Sequence, residues 1–234
     1  MKCSRSHRDD STGGGRRPAR NRWAALAVGI GFLVATACGG PGEEEAAPAA
    51  TAEATQMDAF FANLAAHCGQ AYPGSLTLEP PGDDMLEGDE LLVVHFRACT
   101  EDELQLPFHI EQMDGEWDRS RTWIYRKTDD GRLELRHDHR MPDGTEDEVT
   151  WYGAWTIAEG SPERQEFIIE DREYEDGLER GWRVEIEPDV RYTYGTTRGG
   201  EWSWRVDFDL SEPLDLDDVP PPPWGYEDGR GPLR

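Results

Sequence analysis

The sequence predicts an all-β fold, an antiparallel meander with a single helix on its N-terminal side. Three observations carry that prediction. Between residues 91 and 210, apolar side chains recur at every second position in short runs, the period of half-buried strands. Turns rich in Gly, Pro and Asp separate these runs. Only residues 56–68 repeat their apolar positions at spacings of three and four. Aromatic residues make up 10% of the 234 positions, enough to build a core although 49 acidic side chains outnumber 24 basic ones.

The helix comes first. Thr55 is placed to cap it, Asp58 follows three residues later, and Met57, Phe60, Leu64 and Cys68 form its apolar stripe up to Gly69. Cys68 is thus expected on the buried stripe. Residues 91–99 (LLVVHFRAC) form a strand with Leu92, Val94 and Phe96 on one face and Val93, His95, Arg97 and Cys99 on the other. Residues 104–110 form the next, and Pro107, which lacks an N–H, suits an edge or a bulge. Strands follow at 122–127 and 133–140, and Pro142-Asp143-Gly144 turns the latter into 149–152. The last four are 165–169, 182–187, 190–196 and 201–210. In the final one Trp202, Trp204, Val206, Phe208 and Leu210 share a face. Such a series fits a closed, calycin-like barrel of about eight to ten strands, which leaves no exposed edge; the alternative is a β-sandwich.

The ends read differently. Arg16, Arg17, Arg20 and Arg22 precede an apolar run at 23–37, too short to span a bilayer comfortably and suited to a signal-peptide core. Ala35-Thr36-Ala37-Cys38-Gly39 resembles a lipobox, so residues 1–37 are expected to be a lipoprotein signal peptide and Cys38 the lipidated N-terminus. The alternative is ordinary secretion with Cys38 a bystander. Residues 38–56 read as a flexible tether, 57–210 as the barrel domain and 211–234 as an acidic, Pro-rich tail whose Trp224 packs back on the domain or recruits a partner. The expected location is the bacterial cell envelope. That means the outer membrane where one exists, since Gly39 is not the retention aspartate of enteric bacteria, and otherwise the outer face of the plasma membrane.

Cleavage after Ala37 leaves 17 basic and 47 acidic side chains, a net charge of −30. That charge argues against nucleic acid as a partner. Two cysteines remain, Cys68 and Cys99, and an oxidising compartment favours one disulfide over two buried thiols.

Two clusters carry chemistry. His137 and His139 flank Asp138 on one strand and point to one face, where His95 or His109 could complete a zinc- or iron-type site; the bland alternative is a polar network. Arg97 shares a face with His95, and Arg119 shares one with Arg121. If these arginines point inward with His137 and His139, they cradle a carboxylate or phosphate; otherwise they pair with surface acids. No phosphate loop, G-x-S-x-G elbow or H-E-x-x-H helix is present.

The segments FFANLAAHCGQAY, DRSRTW, LRHDHRMPDGTEDEVTWYG and WRVDFDL resemble an uncharacterised family of secreted bacterial proteins, most specifically through HDHR-x-x-DG-x-x-D at His137 to Asp147. The resemblance implies export and one domain, and no activity. The first functional expectation is non-enzymatic: a barrel binding a small anionic or amphipathic ligand. Trp151, Tyr152, Trp155, Trp182, Trp202 and Trp204 would line or seal it, and His95, Arg97, Arg119, Arg121, His137 and His139 would be its polar contacts. No cofactor is predicted. The alternatives are a metal- or haem-binding protein or enzyme using His137 and His139, and an envelope interaction module.

Overall fold

The computed structural model describes residues 54–80, 86, 88–227 and 229. The signal-type segment, Cys38 and the tether up to residue 53 lie outside the described residues. Among those described are one helix, α1 (Gln56–Ala65), and eleven strands. These are β1 (Ala71–Leu78), β2 (Leu92–His95), β3 (Ala98–Cys99), β4 (Glu103–Glu111), β5 (Trp117–Lys127) and β6 (Leu133–His139). After them come β7 (Tyr152–Thr156), β8 (Arg164–Ile168), β9 (Arg180–Glu187), β10 (Arg191–Arg198) and β11 (Glu201–Asp209). Sequential strands pair antiparallel from β4 to β11, β11 pairs with β1, β1 with β2, and β2 with β4. The sheet therefore closes on itself as a ten-stranded, calycin-like barrel.

Helix α1 begins as expected. The Thr55 side chain accepts from the Asp58 N–H while the Asp58 carboxylate accepts from the Thr55 N–H, a capping box. Phe60, Phe61 and Leu64 are buried in the barrel core. Lys127 reaches Asp58 at 3.2 Å and lies over the Phe61 ring, and Asn63 donates to the Pro162 carbonyl. The helix thus covers the barrel end where β5 finishes.

The helix ends at Ala65, earlier than the stripe suggested. Cys68 lies in the following turn and is exposed, while His67 takes the buried position. Cys68 and Cys99 form a disulfide joining that turn to β3. Closing a separation of 31 residues stabilises the fold by about 3–4 kcal/mol in the chain-entropy account.

Strand β1 was not read from the sequence, because Pro73 and Gly74 break its alternation. Gly74 is required there: a Cβ would stand 2.4 Å from the Phe208 ring on β11. Pro107 lies inside the sheet, neither at an edge nor within the neighbouring bulge. It faces the interruption between β2 and β3, where the missing N–H breaks no ladder bond.

Two bulges change the expected faces. Phe108 pairs with Arg121 and Ile110 with Asp118, so β5 carries one extra residue opposite His109. Thr196 pairs with Trp204 and Thr197 with Trp202, so β11 carries one extra at Ser203. Arg119 and Trp202 are thereby rotated away from Arg121 and Trp204.

The chain after Leu210 returns across the outside of the barrel. Leu214 N–H donates to the Ala71 carbonyl, and Trp224 N–H to that of Arg119. Arg119 also donates to the Pro222 carbonyl at 2.8 Å and lies over the Trp224 ring. Tyr226 is buried, and its hydroxyl donates to Asp138 at 2.5 Å.

Candidate functional site

Most of the barrel interior is filled by side chains, from Phe60 and Leu64 at the helix end to Tyr125, Phe167 and Tyr192 in the middle. Space remains six residues further back along β5 from Lys127, about 20 Å away at the strand rise. A cavity of about 300 Å³ lies there, at the lower end for small-molecule sites. Six aromatic rings form its wall, those of Phe108, Trp123, Tyr152, Trp182, Tyr194 and Trp204. Arg121, His137 and His139 supply polar groups, with Thr196 and Ser203 hydrogen-bonded to each other at 2.9 Å.

The hairpin register brings the basic groups together. Arg121 pairs with His139 and Trp123 with His137 across β5 and β6. His137 is buried, stacked on Tyr152 at 4.7 Å, and has both ring nitrogens engaged. Its Nδ1 lies 3.1 Å from the Tyr152 carbonyl and its Nε2 lies 2.5 Å from the Tyr194 hydroxyl. A carbonyl can only accept, so the proton sits on Nδ1 and Tyr194 donates to Nε2. Burial drives the His137 pKa down to about 3, so the ring is neutral. His139 is also lowered, by burial first and then by Arg121 beside it, and its Nε2 is hydrogen-bonded with the Tyr152 hydroxyl at 3.2 Å. Trp151, directly before Tyr152, holds a φ of +60°, a conformation costing bulky residues roughly 1–3 kcal/mol. Its N–H donates to the His137 carbonyl at 2.7 Å, which ties the strained residue to the site.

Two features of the wall are unspent. Arg121 donates only through Nη1, to Asp118 at 2.5 Å and Ser120 at 2.9 Å, leaving its Nε–Nη2 edge unengaged. Trp204 carries a buried Nε1–H with no hydrogen-bond partner. Sequence reasoning placed Trp204 inward but had no signal for its missing acceptor.

The other expected site residues lie elsewhere. His109 faces the side of the sheet opposite the core, paired with Val93, and His95 shares that side. Arg97 donates to the carbonyls of Gly229 and Tyr226, and Arg119 is held by Pro222 and Trp224, so both bind the C-terminal segment. The four candidate histidines are split between the two faces, and among the described residues no three His, Cys, Asp or Glu side chains converge as a metal site. Trp151, Trp155 and Trp202 carry arginines on their rings instead of lining the cavity: Arg126 on Trp151, Arg136 on Trp155, Arg183 on Trp202.

Fold and site together define a closed β-barrel with an aromatic cavity at the end away from its helix. No family model, no curated protein and no solved structure matches the chain.

Proposed function

We propose that this protein is a non-enzymatic binder of a small anionic or amphipathic molecule, held in the barrel cavity and anchored to the bacterial cell envelope through lipidated Cys38. The observation that carries the binding part is the aromatic cavity itself, with the Nε–Nη2 edge of Arg121 unengaged in its lining. The anchoring part rests on the sequence alone, on the lipobox-type Ala35 to Gly39 and the tether behind it. The metal or haem reading loses support from the geometry, since both nitrogens of His137 are already hydrogen-bonded.

Native mass spectrometry of the tag-free protein tests the binding part. A small organic adduct released by gentle activation is expected. A chain without adduct, whose tryptophan emission is also unmoved by saturating 1-anilinonaphthalene-8-sulfonate, would overturn it. For the anchor, Cys38→Ser is expected to move the protein from the membrane to the soluble fraction. Unchanged membrane association would refute lipidation as the tether.

A further inference from the structure

The unspent groups of the cavity narrow the ligand class. We infer that the cavity is built for a small planar aromatic carboxylate, its carboxylate gripped by the Nε–Nη2 edge of Arg121 and its ring seated among the wall tryptophans and tyrosines. This assignment rests on the ligand-binding reading above and makes it specific.

The argument begins with Arg121. A guanidinium has two edges that match a carboxylate with paired hydrogen bonds. Among the described residues most arginines lie against acids or ring faces: Arg140 on Asp138, Arg126 on Glu103, Arg183 on Glu166 and the Trp202 ring. Arg121 also meets an acid, but it spends only one nitrogen, on Asp118 and Ser120, and these fix its orientation. Its second edge belongs to a side chain that lines the cavity. A protein with 49 acidic residues leaves a bidentate edge unused beside an aromatic cavity.

The body of the ligand follows from the wall. Six aromatic rings line the space, and Trp123 already stacks on Phe108 at 4.8 Å and on Tyr194 at 3.9 Å. A planar ring continues such a stack, whereas a flexible alkyl chain gains no ring-to-ring contact and loses rotamer freedom. The volume of about 300 Å³ admits one or two fused rings and leaves no room for a long chain.

Titrations of the full chain with 2-naphthoate, 2-naphthamide and octanoate, read by tryptophan emission and calorimetry, test the assignment. Expected is saturable binding of 2-naphthoate, with the amide and octanoate each at least about tenfold weaker. Arg121→Gln combined with Asp118→Asn, which removes both charges together, is expected to abolish the preference for the acid over the amide. Arg121→Lys keeps the charge but loses the fork, and should weaken 2-naphthoate about tenfold, so one variant remains if the double change does not fold. Equal binding of acid and amide overturns the carboxylate assignment, and tighter binding of octanoate overturns the aromatic one. Either result leaves the cavity as a ligand site. Failure of all three probes overturns the class. The broader reading falls with it only if the naphthalenesulfonate probe and the native spectrum are also blank.

Discussion

Asp138→Ala is expected to cost about 3–5 kcal/mol, the penalty for removing one partner of a buried ion pair. Asp138 is fully buried on the outer face of β6, where its carboxylate accepts four hydrogen bonds. Arg140 donates twice, at 2.7 and 3.1 Å, Tyr226 donates at 2.5 Å and Thr150 at 3.3 Å. Alanine would leave the Arg140 guanidinium, only 8% exposed, with Glu146 at 3.5 Å as its remaining acid. It would also strand the Tyr226 hydroxyl. Urea unfolding followed by tryptophan emission measures the loss, and a change below about 1 kcal/mol would show that the cluster holds little. Tyr226→Phe removes only one hydrogen bond to a charged group, roughly 1.5–3 kcal/mol. A double-mutant cycle between the two sites should give a clear coupling energy, because they share one carboxylate.

Acid should unfold this protein well before its carboxylates are neutralised. His137 and His109 are both buried, and burial lowers each pKa to about 3. Around His109, the neighbouring His95, Arg119 and Arg97 push in the same direction, while Asp118 opposes them. In the unfolded chain a histidine titrates near 6.5. Between about pH 6.5 and pH 3 the unfolded state therefore binds more protons, and stability falls as pH falls. Each group costs about 1.4 kcal/mol per pH unit in that window, so the pair removes about 5 kcal/mol between pH 7.5 and 4.5. Calorimetric unfolding across that range checks the slope. His109→Leu should lower it by about 1.4 kcal/mol per pH unit with little cost at neutral pH, since both ring nitrogens of His109 lack a hydrogen-bond partner. A flat profile above pH 5 would refute the account.

The parts legible in the sequence were those in which alternation runs unbroken. β6 and β9 to β11 were placed within a few residues, and the inward pointing of His137 and His139 followed from period two alone. Their meeting with Arg121 comes from the register of β5 on β6, which alternation alone does not give. Where the period slips, reading failed. One extra residue in β5 turned Arg119 outward, and one in β11 did the same to Trp202, and neither bulge has a residue that announces it. β1 was missed because Pro73 and Gly74 look like a turn until Phe208 is seen against them. Strand β7 starts at Tyr152 and not at Val149, because Trp151 adopts a left-handed backbone that no local rule assigns to tryptophan. The outer role of Arg97 was hidden for another reason: its partners are main-chain carbonyls of a distant segment, which composition does not reveal.

The closing seam of the barrel has a consequence in time. Gly74 to Leu78 on β1 pair with Phe208 to Arg205 on β11, so the first strand and the last complete each other. That pairing joins the two ends of the domain, and such non-local pairing is slow because its loop entropy comes due ahead of its contacts. Without β11, β1 keeps one edge open. Any chain halted before β11 presents two unpaired edges, on β1 and β10, as templates for association. Completeness of the polypeptide is thus a condition for its solubility as a folding intermediate.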